Sequence, residues 1–237
     1  MQLFFNPELE PHFSEFKFDK TESRHIVRVL RKQEGDVLHI TNGRGFLFEA
    51  EIVVANDNKC MVRITKFTAR EKGWNYRLHI AVAPTKLNDR MEWFLEKATE
   101  IGIDEITPII CHHSERKVIK LERFEKIVQA AMKQSLKCYL PKINPAKTFK
   151  EFLATESTGL KFIAHCEEQA KKSFKKELLP NTDVTILIGP EGDFSTKEID
   201  FALQKKYLPV TLGESRLRTE TAALVACHSV AFTNQID

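Results

Sequence analysis

The spacing of hydrophobic positions changes at about residue 70. Between Asp36 and Phe67, short apolar runs are separated by turn residues at Asn42-Gly43 and at Asn56-Asp57-Asn58. An Asn-Gly pair is a strong hairpin signal because both residues tolerate a positive φ. The pattern predicts a small antiparallel β-barrel, and we expect it to occupy a first domain of residues 1–72.

Beyond residue 76, strand patterns alternate with helical ones. Five segments have the composition of strands: 77–84, 105–110, 159–166, 183–189 and 208–213. Helices are predicted over 86–102 and 121–137. In the first of these, the apolar residues follow the i, i+3, i+4, i+7 spacing of one helix face, and Gly102 marks the end. This alternation predicts an α/β domain with a mainly parallel sheet over residues 73–237.

Composition narrows the choice of protein class mainly by exclusion. Hydrophobic residues make up 42% of the chain and charged residues 29%, which is typical of a packed globular protein. No cleavable leader pattern and no membrane-spanning apolar run are evident, so we expect a cytoplasmic protein that does not contact membranes. The net charge of +3 is too small to indicate a nucleic-acid partner by itself.

The cysteines and histidines give little support for a metal or a disulfide. The five cysteines are odd in number and contain no C-x-x-C pair. Cys111-His112-His113 contains metal-ligating residue types, but no further ligands follow at suitable spacing, so no metal is expected. Lys171-Lys172 and Lys175-Lys176 are interpreted as a solvated helix face.

The first candidate for chemistry is the segment Thr185–Phe194, a buried strand pattern that runs into Gly189-Pro190-Glu191-Gly192. Ligands of parallel sheets bind outside the carboxyl ends of strands, and small residues there let backbone amides approach a ligand. Ser195 and Glu198 have the spacing of a capping box, which predicts that a helix begins directly after the turn.

The second candidate is Val210–Ala223, a strand pattern that breaks at Gly213 and leads into a helix. Its loop concentrates cations, carboxylates and hydroxyls between two apolar elements. These groups either form a ligand site or cap the helix and make solvated ion pairs, and the loop alone does not decide between the two. The helix that follows is apolar nearly all round, which predicts burial in the core or in a subunit interface.

Ile188–Gly192 (IGPEG) and Leu212–Ala222 (LGESRLRTETA) resemble two motifs of the RsmE-type methyltransferases. Members of that family modify N3 of a uridine in small-subunit ribosomal RNA. The resemblance extends over the whole chain: His25–Arg31 is similar to the family's N-terminal basic segment, Arg90–Gly102 to its first helix and Gln134–Pro141 to its central one.

The resemblance implies a knotted fold of the SPOUT class. An α/β domain with a C-terminal trefoil knot would follow an N-terminal PUA-like β-barrel domain, and two chains would form a homodimer through the C-terminal domain. S-adenosylmethionine would be the cofactor, and ribosomal RNA within the small ribosomal subunit would be the partner. True knots are rare, and periodicity alone does not predict one.

The resemblance also implies which residues hold the cofactor, in a pocket made by three strand-end loops: His165, Cys166, Ile188, Gly189, Pro190, Gly192, Leu212, Gly213, Leu217, Arg218, Thr219, Thr221 and Ala222. When uridine loses its N3 proton, negative charge spreads onto O2 and O4, which calls for a nearby cation. We hypothesise that Arg218 stabilises that charge and that Glu220 or Glu191 orients or deprotonates the base. The alternative is that Arg218 only pairs with a carboxylate to hold the loop.

A basic cluster near the N-terminus is the candidate RNA contact: Arg24, His25, Arg28, Arg31 and Lys32. At helical spacing its arginines and lysine can share one face and contact phosphates. A charged, solvated helix has the same pattern. The resemblance adds Arg116, which matches a family position near the substrate cleft.

Three positions depart from the family pattern. Asp193 stands where a second glycine is usual, and Lys133 and Lys137 stand where glutamate and arginine are usual. A carboxylate at 193 would repel an anionic substrate unless it points into a helix N-terminus. Two other functions also fit the sequence: a non-catalytic RNA-binding or ribosome-assembly factor, and a SPOUT methyltransferase that acts on another RNA position.

Overall fold

The structure, a computed structural model, describes residues 1–155, 158–167 and 170–235. It divides the chain into two compact units. The N-terminal unit combines Met1–Gly73 with Met132–Leu140, and the α/β unit combines Trp74–Ala131 with Pro141–Asp237.

The N-terminal unit contains a five-stranded sheet, made of β1 (Leu3–Phe5), β2 (Glu15–Lys17), β3 (Val37–Thr41), β4 (Phe46–Val54) and β5 (Met61–Ala69). In the order β1-β3-β4-β5-β2, β3, β4 and β5 pair antiparallel, as the turn residues predict. β1 instead pairs parallel with β3, so the prediction of an antiparallel sheet is wrong at this edge. Residues 6–36 lie between these two strands and provide the long crossover that parallel pairing requires.

The core of the N-terminal unit is made by alternate residues of its strands and by one helical segment. In β4, Phe48, Ala50 and Ile52 are buried, which is the period-2 pattern of a strand with one inward face. Helix α1 (Lys20–Arg24) is capped by Asp19, whose carboxylate accepts a hydrogen bond from the Glu22 amide at 2.8 Å. A π-helical turn at His25–Val29 continues it.

The α/β unit is built on an eight-stranded sheet: β6 (Leu78–Val82), β7 (Glu105–Ile110), β8 (Lys142–Ile143), β9 (Lys147–Thr148), β10 (Leu160–Ala164), β11 (Lys172–Ser173), β12 (Val184–Ile188) and β13 (Leu208–Thr211). The order is β11-β13-β10-β12-β6-β7-β8, and β9 pairs with β7. Every strand pairing in the described part of this unit is parallel, which confirms the predicted sheet. β6 and β12 are buried along their whole length. The loops after β6, β7, β10, β12 and β13 therefore meet at one edge.

Six helices accompany this sheet in the described residues: α2 (Asn88–Ile101), α3 (Leu121–Gln134), α4 (Phe149–Ala154), α5 (Phe174–Glu177), α6 (Thr196–Gln204) and α7 (Thr219–Thr233). α2 buries the predicted face and ends at Gly102, which has φ +131°. α7 packs on α2, β6 and β12. Its other side stays accessible, with Phe232 58% exposed and stacked on His228. Within one chain, α7 is therefore buried on one face only, whereas the sequence predicts burial nearly all round.

The predicted helix over 121–137 ends three residues early, at Gln134. Leu136 has φ +57°, and the amides of Leu136 and Lys137 donate to the carbonyls of Lys133 and Met132. These two bonds form a Schellman motif, which satisfies the last carbonyls of the helix and turns the chain away. The following residues join the N-terminal unit: the Cys138 side chain packs in one cluster with Leu3 and Leu47.

A buried polar cluster joins β6 to β7 near their amino ends. The Nε2 atom of His79 lies 2.7 Å from Oγ1 of Thr107, and Asn144 donates to both Thr107 and Glu105. Glu105 also pairs with Arg77. Burial lowers the pKa of His79 to about 4, so the folded protein holds this imidazole neutral at physiological pH.

The free energy of unfolding is expected to fall by about 2 kcal/mol between pH 7 and pH 5 because of His79. In the unfolded chain this group binds a proton near pH 6.5, whereas the folded chain binds it only near its lowered pKa of about 4. Acid therefore favours the unfolded state in this window. Urea titrations at a series of pH values measure the effect, and His79→Gln should flatten the pH profile. An unchanged slope in that variant would contradict the assignment.

Candidate functional site

Three loops at the carboxyl edge of the sheet surround a cleft. Two adjoining cavities, of about 580 Å³ and 270 Å³, share Ala164, Cys166, Asp193, Arg216, Leu217 and Ala222. We call them together the strand-end cleft. It is lined by residues of the loops that follow β10, β12 and β13, and both sequence motifs, 188–192 and 212–222, contribute to it. A cleft of this size fits a nucleoside-sized ligand.

The glycine turn after β12 is held tightly by the protein itself. The Thr219 hydroxyl donates a hydrogen bond to the Gly189 carbonyl at 3.1 Å, which ties the two motifs together. A Cβ atom on Gly189 would lie 3.0 Å from the ring of Phe194, and one on Gly192 would lie 3.1 Å from Cβ of His113. A side chain at either position would therefore make Phe194 or His113 shift, so the packing favours glycine here in addition to any backbone approach to a ligand.

Asp193, which departs from the family pattern, joins two of the three loops. Its backbone has φ +63°, a left-handed conformation that glycine adopts freely and aspartate tolerates. Its carboxylate accepts hydrogen bonds from the amide of Cys166 at 2.7 Å and from that of Phe194 at 2.8 Å. Phe194 lies just before the capping box of α6, where Glu198 accepts from the Ser195 amide. The carboxylate is thus engaged by backbone donors at the start of a helix.

His165 presents unused hydrogen-bonding groups to the cleft. Its side chain is buried, with the residue only 6% exposed, and neither ring nitrogen has a hydrogen-bond partner among the described residues. Burial lowers its pKa, and the nearby Lys171 lowers it further. A buried polar group without a partner costs about 1 to 3 kcal/mol, which a ligand that bonds to it would recover.

The three candidate catalytic residues lie in different surroundings. Arg218 is the N-terminal cap residue of α7; it lines the cleft, is exposed, and has no acidic partner in the part of the chain that the structure describes. Glu191 also lines the cleft, and its carboxylate accepts from the Lys86 amide at 2.9 Å. Glu220 is buried, 3.8 Å from Nε of Arg90, and it does not line the cleft.

Two predicted cofactor residues stand apart from the others. Gly192 and Thr221 do not line either cavity of the cleft, whereas the other predicted residues line one or both. Gly192 packs against His113, and Thr221 lies in the first turn of α7.

Lys171 is a residue of the cleft that the sequence analysis missed. Its ammonium donates to the carbonyls of His165 and Glu167, at 3.0 and 2.8 Å, and it precedes the short strand β11. The interpretation as part of a solvated helix face is therefore wrong for Lys171, and it is also wrong for Lys172, which lies in the strand β11. Lys175 and Lys176 do lie on the exposed side of α5. No periodic pattern marks Lys171, because its partners are carbonyls of an irregular loop.

The N-terminal basic cluster does not form one helical face. Arg31 and Lys32 lie beyond the last helical turn, and Arg31 has φ +55°. Nε of Arg28 donates to Asp57 at 2.8 Å, and this pair lowers the pKa of Asp57. Arg24 and Arg31 are the members of the cluster that are exposed and without an ion pair in the described ranges. Arg116 lies in the α/β unit and lines another cavity.

The described residues contain neither a membrane-spanning helix nor a metal-ligating cluster. No helix there is both long and apolar enough to cross a membrane. No group of three or more histidine, cysteine, aspartate or glutamate side chains is arranged to hold a metal ion. Of the Cys111-His112-His113 cluster, Cys111 is buried and Nδ1 of His113 lies 3.0 Å from the carbonyl oxygen of Asp193.

Two domain-family models match the chain. Residues 72–231 match the model of the RNA methyltransferase domain, and residues 18–65 match the model of the RNA methyltransferase PUA domain. The first match alone covers more than half of the chain. The chain therefore belongs to the RNA methyltransferase family.

Comparisons with single proteins narrow this class. Ribosomal RNA small subunit methyltransferase E of Buchnera aphidicola is 31% identical over 95% of this chain and 90% of its own length. A Porphyromonas gingivalis structure named "probable rRNA-methyltransferase" is 43% identical, with a TM-score of 0.92 over 99% of this chain and 98% of that one. A Legionella pneumophila methyltransferase, solved with the bound cofactor SAM, is 26% identical, with a TM-score of 0.88 over 98% and 97%. The RsmE-type resemblance is thereby confirmed.

Proposed function

We propose that this chain uses S-adenosylmethionine to methylate N3 of a uridine in small-subunit ribosomal RNA. The observation that carries the proposal is the joining of the two family motifs in one cleft, by the bond from Thr219 to Gly189. The proposal is supported by relatives named ribosomal RNA small subunit methyltransferase E and by a similar methyltransferase structure with bound SAM.

The cleft suits this cofactor on its own terms. Apolar side chains of Val210, Leu212, Leu217 and Ala222 provide surface for a base and a ribose, and unpartnered ring nitrogens of His165 provide a donor or an acceptor. When bound, S-adenosylmethionine supplies a methyl group on a positively charged sulfur. The chain then needs chiefly to hold donor and acceptor in line and to exclude water.

The catalytic roles follow from which charged groups face the cleft. Arg218 has no acidic partner in the described residues, so its charge is available to the developing negative charge on uracil. Glu191 lies within the glycine turn, accepts a hydrogen bond from the Lys86 amide, and is proposed to orient or deprotonate N3. Glu220 is proposed to act indirectly, since it is buried beside Arg90.

The remaining proposals concern assembly and fold. A trefoil knot is supported by the path of the chain: β13 pairs with β10 at one side, and α7 returns to pack on β6 and α2. A homodimer is supported by the exposed side of α7 that carries Phe232. For RNA, we propose contacts through Arg24, Arg31 and Arg116, which form no ion pair with any described residue, and also through His25, Arg28 and Lys32. The site of action is proposed to be the cytoplasm, where ribosomal subunits assemble.

Incubation of the purified protein with labelled S-adenosylmethionine and unmethylated small-subunit RNA should transfer one label per RNA. Digestion and mass spectrometry are expected to find the methyl group on N3 of a uridine. A methyl group on a ribose or another base would replace the N3 assignment. Absence of both cofactor binding in calorimetry and label transfer would favour the non-catalytic RNA-binding function.

A further inference from the structure

A further cavity, separate from the two that form the strand-end cleft, lies beyond the carboxyl ends of β6 and β7. It has a volume of about 540 Å³ and lies wholly within the α/β unit. We call it the basic cavity, because five cations and one carboxylate line it: Lys86, Arg116, Lys117, Lys120, Arg123 and Glu115.

The charges of the basic cavity are only partly compensated. Lys86 pairs with Glu115 at 2.9 Å, which raises the pKa of the lysine, and Arg123 pairs with Glu92 at 2.6 Å. For Arg116, Lys117 and Lys120, the described residues provide no ion pair. Within the described part of the chain, three positive charges around one concave surface therefore have no ion-pair partner, and such a surface concentrates anions.

The basic cavity lies next to the strand-end cleft. Lys86 lines the basic cavity, and its backbone amide bonds to Glu191, which lines the cleft. This hydrogen bond therefore connects the two sites, which lie at the ends of the neighbouring strands β12, β6 and β7. The 14-residue helix α3 begins directly after Lys120, and its N-terminal dipole adds to the positive potential.

We propose that the basic cavity binds the phosphodiester backbone of the RNA strand that carries the acceptor base. This inference rests on the proposed function. A base that reaches a methyl donor is drawn out of its stack, and its flanking phosphates must be held close to the site. Flexible lysines act as point charges for phosphate and do not read base edges, so this site positions the RNA without selecting its sequence.

The test compares two double variants of the full chain that lose the same charge. Lys117→Gln/Lys120→Gln removes two cations that line the basic cavity and form no ion pair with described residues. Lys205→Gln/Lys206→Gln is the matched control, because both lysines are exposed between α6 and β13, at the amino edge of the sheet. Affinity for small-subunit RNA is measured at several salt concentrations, and affinity for S-adenosylmethionine is measured by calorimetry.

The cavity variant is expected to bind RNA at least about tenfold more weakly at low salt, and the magnitude of its slope of log K against log salt should fall by about 1.4 to 1.8, because two phosphate contacts are lost. Cofactor affinity should stay at the wild-type value, and the control pair should shift RNA affinity less than about twofold. Glu115→Gln is expected to act in the opposite direction, since it frees Lys86, and should strengthen RNA binding.

Equal losses in the cavity and control variants, or an unchanged salt slope in the cavity variant, would overturn the inference while the wild-type protein still methylates RNA. Failure of the wild-type protein itself to bind the cofactor or to modify RNA would instead refute the proposed function. A weaker affinity in Glu115→Gln would also count against the cavity.

Discussion

Arg218→Ala is expected to lower the turnover number by about 10²- to 10³-fold, the effect typical of removing one group that stabilises charge in a transition state. The cofactor dissociation constant should change less than about threefold, because the interaction forms only as negative charge develops on the base. The fold should tolerate the change. Arg218 caps α7 through its backbone, its side chain makes no capping bond, and its carbonyl still accepts from the Ala222 amide.

Single-turnover rates and calorimetry on the same preparations separate the two quantities. Arg218→Lys is the conservative control and should recover part of the rate, since it keeps the charge but not the planar donor. If turnover and cofactor affinity fall by the same factor, Arg218 holds the loop or the cofactor and does not stabilise the reacting base.

Asp193→Ala should weaken cofactor binding by at least about tenfold and lower the free energy of unfolding by about 2 to 3 kcal/mol. The carboxylate accepts two hydrogen bonds, from the amides of Cys166 and Phe194, and both are lost together. Alanine must also adopt φ +63°, which costs alanine more than aspartate, because alanine has no polar side chain to hydrogen-bond to the local backbone.

Two further replacements at this position separate backbone strain from loop positioning. Asp193→Asn tolerates the same φ and keeps one acceptor oxygen, so an intermediate result is expected. Asp193→Gly matches the usual family residue and removes the strain, yet it leaves the Cys166 loop without its anchor. Wild-type cofactor affinity in Asp193→Gly would show that the anchor is dispensable for binding.

The sequence predicted those parts of the fold that have a regular period or a local turn signal. Four elements appear where they are expected. They are the helix with its buried face at Phe94 and Leu95, the strands around Ile80 and Ile186, and the helix α6 with its capped start. In each of these elements the hydrophobic spacing and the end residues lie within a few positions of one another in the sequence. They can therefore be recognised without knowledge of distant contacts.

Features that depend on distant residues were missed. The three-residue strand β1 is too short to show alternation, and its parallel partner is set by a crossover of about thirty residues. Lys171 is held at the cleft by hydrogen bonds to two loop carbonyls, and no sequence pattern predicts such bonds. The sequence marks Asp193 as a departure from the family pattern, but only the folded structure shows its hydrogen bond to Cys166, 27 positions away.

The Schellman turn at Leu136 also affects how the protein can be dissected. A fragment that stops at Gly73 would take Leu3 and Leu47 without the Cys138 side chain that packs beside them, and would leave Gly43 and Gly45 without their backbone partners at Leu140 and Cys138. The PUA-containing unit is thus discontinuous in the sequence. Its final piece is reached only through the helix that begins in the methyltransferase unit, so one cut cannot release either unit whole.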